Sequence, residues 1–487
     1  ALANLKTLVN NGGFLFEFEK RLTLSTFQPF NFSTFKPFIL TWFSSKYTEQ
    51  YKRNLTLAWP VMLGSLGHVM VGVADSVMVG QYLGAIPLAA TALANSVFHI
   101  PFVFAIGVAF GLTPLVANAD GEGDVQKSSS LWKNAFYVNL VFGVLVTILL
   151  LAIEPILGMM DQEPEVVVLA TPFFGIISLS MIPFLLFLNL KQFAEGLSDT
   201  LTATRISLGA NVLNIVLNYV LINGAWGFPE MGLNGAAVAT LISRFVMFFG
   251  LWFYIRYKTK FAKYWEARKT ATLHWDEIKN ILEIGIPSGL QYIFEIGAFA
   301  VSAILVGVIG ALPMAAHQVS ISLASISYMA ASGLSAAASI RVANQLGKKD
   351  YDTLRLAATT LFRMVAIFMA FTGVIFLSGR FFWPTLFTDN QTVIAIAAQL
   401  LIVTTLFQIS DGVQVVAQGS LRGMGDVRTP TVLTFISYWV VSLPLAYLLG
   451  FHTSLGVIGI WIGLASGLTA NAILLYRRFM KKANALV

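Results

Sequence analysis

The sequence predicts an all-α polytopic membrane protein with twelve transmembrane helices in two parallel six-helix repeats. Three observations predict it: a composition too apolar for water, twelve apolar runs of spanning length, and an internal duplication that keeps register between the halves.

Of 487 residues, 56% are hydrophobic and 11% charged, where a soluble domain carries about a quarter charged residues. Such a chain could not cover its own surface in water, so lipid must be the solvent for most of it. A barrel needs alternating segments of about ten residues, and these runs are long and continuously apolar, so the spans are helices. The sequence has no cysteine, which excludes disulfides, thiolate metal sites and cysteine nucleophiles. It has no GxxxxGK[ST] loop to act as a nucleotide engine and no HExxH pair for a zinc peptidase. Ser332-Gly333 is a packing pair with no evident histidine partner, so the chain does not read as an enzyme. Scattered acids give no ring of charge for a channel.

The elements follow in order. Residues 1–50 are expected to be an interfacial or disordered leader; the first 46 are aromatic and mixed-polar, reach no spanning length and do not form a cleavable signal peptide. The first lobe, 51–255, contains spans at 55–80, 87–116, 131–153, 166–190, 206–225 and 232–255. Residues 256–278 form a basic, aromatic linker expected to lie as a surface helix on lipid headgroups. The second lobe, 279–487, contains spans at 279–308, 312–340, 354–378, 393–420, 429–449 and 454–476. Each run has the roughly 17–25 residues that a bilayer demands.

Of the 31 Lys and Arg residues, 28 fall in the segments on one side of this layout. Arg244 and Arg363 lie within spans, and Arg380 lies on the far side. The positive-inside rule puts both termini and the linker in the cytoplasm of a cell inner-membrane or plasma-membrane protein. The net charge of +7 is thus a topological signal, not a nucleic-acid footprint.

Matched blocks establish the duplication. Trp59-Pro60 pairs with Ile286-Pro287, and Gly84-Ala85-Ile86-Pro87 with Gly310-Ala311-Leu312-Pro313. Val116-Ala117-Asn118 with Asp124 pairs with Val342-Ala343-Asn344 with Asp350, and Gly196 to Asp199 with Gly423 to Asp426. All four blocks hold an offset of 226 or 227 residues. Six spans per half is an even number, so the halves enter the membrane in the same direction, the parallel repeat of some transporters.

Ionisable groups inside spans are costly, about 2.5–3.5 kcal/mol on insertion scales, and therefore mark candidate function. Three acids qualify: Asp75, Glu295 and Asp411. None has a cation within a helical turn on its own segment. An uncompensated negative site that holds either a cation or a substrate is the physical requirement for exchange. The competing reading is an ion pair with another helix, with Arg244 as the partner. Asn211, Asn214 and Asn218 supply neutral oxygens in span five, and the last two share a helix face. They suit either a hard ion or interhelical bonding. His68, His99 and His317 read as bonded packing residues, and Glu195, Asp199, Arg422 and Asp426 as helix-end or gate ion pairs.

The six-plus-six layout, ADSVMVG in span one, LKQFAEG at 190–196, the FEI acid of span seven and DGVQVVAQGSLRG at 411–423 resemble the multidrug and toxic compound extrusion (MATE) family over roughly residues 50–480. The resemblance implies two lobes around a central cleft that alternates between inward- and outward-facing states. It also implies export of cationic or amphipathic organic molecules, drugs and toxins among them, against inward sodium or protons. Carried over, Asp75 is the cation or proton acid of the first lobe, with Asn214, Asn218 and Thr240 as ligands. Glu295 and Asp411 are the acids of the second lobe, as in the NorM-like branch. Sodium would sit at Asp75 or at Glu295 and Asp411, and Phe407 and Tyr292 are candidate cavity or ring contacts. Phe407 departs from the branch, which often has tyrosine there. No cofactor other than the coupling ion is implied. The expected partners are a small-molecule substrate and membrane lipid, with no nucleic acid and a monomeric state. The alternative within the superfamily, a flippase of lipid-linked precursors, calls for a cationic cavity, whereas mid-span cations here are nearly limited to Arg244.

Overall fold

The computed structural model describes residues 45–486; the expected leader lies almost wholly outside them. Among the described residues, twelve helices are long and apolar enough to cross a membrane. In the first half these are α1 (Tyr47–Leu83), α2 (Ala85–Glu122), α3 (Val125–Met159), α4 (Pro164–Gly196), α5 (Thr200–Asn223) and α6 (Gly232–Tyr257). In the second half they are α7 (Trp275–Ile309), α8 (Ala311–Gly347), α9 (Tyr351–Ser378), α10 (Gln391–Gly423), α11 (Arg428–Phe451) and α12 (Val457–Asn484). A further helix, Thr259–Thr270, occupies the linker. Most of these helices outrun the apolar runs that announced them, because a helix keeps its backbone bonded while polar residues carry it past the hydrocarbon.

Three of the four matched blocks supply helix caps or contacts between helices. Asp124 and Asp350 are the N-caps of α3 and α9, accepting from Lys127 N at 2.8 Å and Thr353 N at 3.0 Å. Asp199 caps α5 by accepting from Thr202 N. Pro60 and Pro287 sit inside α1 and α7. Their carbonyls accept from Thr204 Oγ1 and Thr431 Oγ1, each at 2.9 Å, so the 227-residue offset holds in space as well as in sequence. Four spans deviate locally: α2 breaks between Ala109 and Leu112, α3 breaks between Ile153 and Ile156, α4 breaks at Ser180, and α11 contains a π-helical stretch, Ile436–Ser442.

Lipid-facing positions stay apolar on the outside of the bundle, as with Val168, Val212 and Leu145, which are exposed. The interior of the first half packs around Trp132, Phe174, Phe193 and Met181. The second half has two interior clusters, and Leu57, Ala58 and Ala117 of the first half join one of them. Without a hydrophobic force between helices in lipid, close packing at small residues holds the halves together. A Cβ on Gly107 would come within 2.4 Å of Gly289 Cα, and one on Gly285 within 2.4 Å of Val108 O.

Contacts between the halves gather toward the linker end. Asn344 Nδ2 donates to Ala117 O at 3.4 Å and to Asp120 Oδ2 at 3.1 Å. Asp120 also accepts from Tyr264 of the linker helix at 3.2 Å. With its amide turned to satisfy both ends, Asn118 accepts from Gly347 N at 3.1 Å. Glu277, at the start of α7, accepts from Ser130 and Asn134 of α3 at 2.8 and 2.6 Å. Asn54 donates to Ala357 O and Thr360 Oγ1, and Ser332 donates to Ser65 near mid-depth. The linker helix lies against the first half: Phe261 and Tyr264 are buried, and the Arg268 guanidinium stands 4.6 Å from the Trp132 ring. Toward the opposite end, α1 and α8 carry exposed Met70, Val73 and Ile326.

Candidate functional site

In the first half α1, α5 and α6 meet in a polar chain. Asp75 is part-buried beyond mid-length of α1 and accepts from Asn218 Nδ2 at 2.5 Å. Asn218 also reaches Asn214 Oδ1 at 3.4 Å, and Asn214 Nδ2 reaches Thr240 Oγ1 at 3.4 Å. Asn214 and Asn218 share a face because they stand four apart, and both are buried. The four side chains Asp75, Asn214, Asn218 and Thr240 are therefore brought together. Asn211 is buried one turn away, with its amide nitrogen unpartnered.

In the second half Glu295 of α7 and Asp411 of α10 are 4% and 8% exposed, so both carboxyls are removed from bulk water. Gln414, one turn after Asp411, donates to Glu295 Oε1 at 3.1 Å, and Tyr438 Oη donates to Gln414 Oε1 at 3.0 Å. The Asp411 side chain makes no hydrogen bond among the described residues.

Ion pairing does not neutralise the three acids. Among the described residues, no Lys, Arg or His nitrogen lies within 4.0 Å of Asp75, Glu295 or Asp411. Arg244, the expected suspect, turns elsewhere. Its Nη1 donates to Ser180 Oγ at 2.6 Å, at the break of α4, and its Cζ lies 4.8, 5.3 and 5.7 Å from the rings of Phe184, Phe102 and Phe98. Three ring faces solvate its charge in place of a carboxylate. Arg244 and Asp75 feel one another only through space.

The remaining candidates separate. Phe407 is buried against Trp461, ring centroids 6.1 Å apart, inside an interior cluster. Tyr292 stands 5.8 Å from Phe110 of the first half, at the join between halves. His317 accepts from Trp461 Nε1 at 3.1 Å, a bonded packing residue. Asp426 pairs with Arg478 at 2.8 Å and Lys482 at 3.1 Å, Glu195 with Lys191 at 3.8 Å, and Asp199 with Lys260 at 3.5 Å. Arg422 instead lies 5.2 Å from the Phe110 ring across the join. Gln414 and Tyr438 escaped the sequence reading. The spacing of Gln414 one turn after Asp411 was the available signal, whereas nothing in the sequence ties Tyr438 to the acids. No group of three or more His, Cys, Asp or Glu with metal-holding geometry occurs among the described residues. An ion held by these acids would therefore complete its shell from neutral oxygens such as those of Asn214, Thr240 or Gln414.

Comparison with known proteins supports the fold. The family model described as MatE matches residues 60–220 and again 287–448, one copy per half. The chain is 33% identical over 442 residues to the "Multidrug resistance protein NorM" of Photobacterium profundum, covering 89% of this chain and 95% of that protein. Among solved structures it resembles the eukaryotic MATE transporter AtDTX14, with a TM-score of 0.80 at 24% identity, covering 91% of this chain and 99% of that one. It also resembles an outward-facing multidrug resistance MATE family transporter of the MOP superfamily, with a TM-score of 0.81 at 21% identity, covering 90% of this chain and 96% of that one.

Proposed function

The chain belongs to the MatE family, whose members are membrane transporters rather than enzymes, and from that premise we propose that it is a secondary active antiporter. It exports cationic or amphipathic small organic molecules in exchange for inward sodium or protons. The observation that carries this reading is the pair of acid sites, Asp75 and Glu295 with Asp411, free of any cation within 4.0 Å among the described residues.

A coupling cation binding at these carboxylates removes the charge that holds an organic cation, so the two ligands take turns. Asn218 orients the Asp75 carboxylate, and Gln414 orients that of Glu295. Selectivity is loose because the walls are apolar and the recognition element is charge. The contacts at the linker end support an outward-open state: with the cations of the sequence in the cytoplasm, that end is the inner one, and both termini lie there. The protein works as a monomer in the cell membrane, and its return to the inward-open state requires the Asn344, Asp120 and Glu277 contacts to part.

The test is transport of a fluorescent organic cation in proteoliposomes under an imposed sodium or proton gradient, one at a time. One of the two gradients drives uphill movement in this reading. Failure of both, with correctly inserted protein, removes the antiport mechanism.

A further inference from the structure

At the start of α7, Trp275, Lys279, Leu282 and Ile286 recur at three- and four-residue spacing and so share one helix face. That face and Arg428, the first residue of α11, line a groove of about 500 Å3. Pro287 closes its deep end, and the Pro287 carbonyl accepts from Thr431 of α11 at 2.9 Å. This hydrogen bond fixes how far apart the two helices stand, so the groove is formed without a ligand.

The groove grades from charged to apolar. At its linker end stand Lys279 and Arg428, both exposed, beside Trp275, which is 74% exposed. Further along the same two helices Ile286, Val432 and Phe435 are exposed and apolar. Contacts between the halves gather at this end, so an exposed groove here lies on the outside of the bundle. A tryptophan beside cations marks the headgroup level of a bilayer, and the apolar stripe beyond it marks the acyl region.

The cations have capacity to spare. Arg428 pairs with Glu283 through Nη2 at 3.0 Å, but the two side chains are 70% and 39% exposed, and pairs so open to solvent hold weakly. A guanidinium offers five N–H donors, most of which this pair leaves for a second partner. No acid lies within 4.0 Å of Lys279 among the described residues. The first half does not repeat the arrangement: at the 227-residue offset Lys279 corresponds to Lys52, but Arg428 corresponds to Leu201 and Glu283 to Thr56.

We propose that this groove takes one anionic phospholipid from the leaflet at the linker end. Its phosphate sits between Lys279 and Arg428, and an acyl chain runs along Ile286, Val432 and Phe435. A basic pocket between spanning helices recognises such a headgroup by charge, and the apolar stripe below it holds the chain. The site does not depend on what the protein carries, so it is tested apart from the antiport reading.

The test is quenching of Trp275 fluorescence by phospholipids with brominated acyl chains, titrated into the purified protein in neutral detergent micelles. The signal of Trp275→Phe is subtracted to remove the other tryptophans. Phosphatidylglycerol is compared with phosphatidylcholine of the same chains, and glycerophosphate serves as a headgroup without chains. Phosphatidylglycerol should half-saturate the signal at a concentration about 25-fold lower, roughly fivefold for each cation. The preference should fall about fivefold in Lys279→Gln or Arg428→Leu and vanish in the double variant. Both positions are exposed and Arg428→Leu copies the residue of the other half, so folding is not at issue. Lys481→Gln removes an exposed cation of the same end outside the groove and should keep the preference. Equal half-saturation by the two lipids, no quenching of Trp275 by either, survival of the preference in the double variant, or an equal loss in Lys481→Gln overturns the site. Displacement of phosphatidylglycerol by an equal concentration of glycerophosphate also overturns it, because the groove would then hold free phosphate and no lipid chain.

Discussion

Gly121 and Gly347 occupy equivalent places, 226 residues apart, where the two halves touch at the linker end. A Cβ added at Gly121 would stand 2.2 Å from Asn344 O, and one at Gly347 would stand 2.1 Å from Asn118 O. An ordinary carbon–oxygen contact is about 3.3 Å, so the helices must part by roughly 1 Å. The obstruction is backbone and cannot swing aside. Overpacking of this kind costs about 1–3 kcal/mol. If the cost falls only on the state closed at this end, the ratio of states shifts about 5- to 150-fold. Because the chain has no cysteine, spin labels can be placed at chosen pairs: Gln126→Cys with Asp352→Cys at the linker end, and Gln162→Cys with Asp389→Cys at the other. All four positions are exposed. Pulsed electron-electron distances in Gly121→Ala and Gly347→Ala should gain a longer population at the linker end and a shorter one opposite. A single unshifted linker-end distance in folded, monodisperse protein would refute the reasoning, as would opposite behaviour of the two variants.

Three further outcomes follow. Asn218→Ala removes the 2.5 Å donor to Asp75; a hydrogen bond to a charged group contributes about 1.5–3 kcal/mol, so cation-coupled flux should fall about tenfold or more, read as initial rate in proteoliposomes. Phe407→Tyr puts a hydroxyl into the apolar interior beside Trp461, whose N–H is already given to His317; an unmet hydroxyl costs about 1–3 kcal/mol, so thermal unfolding should begin at lower temperature. Asp350→Ala removes the N-cap of α9 and should cost about 0.5–2 kcal/mol. The hydrogen bonds from Thr353 hold the Asp350 carboxyl below its usual value of 3.8, so the cap's contribution is present in full above that value and is lost as pH falls through the lower folded one. The stability gap between parent and variant should thus be constant above about pH 5 and close only in stronger acid.

Much of the architecture was legible because lipid imposes it. A span must be long, apolar and helical, so twelve runs mark twelve helices, and a duplicated gene leaves its offset in the motifs. Asn214 and Asn218 could be placed on one face from spacing alone, and their chain to Asp75 and Thr240 followed the family resemblance. Contacts across helices were less legible. The Asn118 and Asn344 blocks were visible as a repeat, yet their meeting was not, because only near an axis relating the halves do equivalent residues touch. Arg244 was the partner named by the competing reading of the acids; the rings that hold it come from α2 and α4, far apart in sequence, at a break that composition does not reveal. Gln414 and Tyr438 escaped notice because an amide and a phenol in a span are ordinary until an acid from another helix arrives.

The most direct test of the account is competition at equilibrium. Bound fluorescent organic cation should be displaced from the parent protein by sodium at fixed pH or by acid at fixed sodium. Asp75→Asn combined with Glu295→Gln and Asp411→Asn should show no displacement by either. Undiminished displacement in the combined variant would place the exchange elsewhere in the molecule and contradict the account.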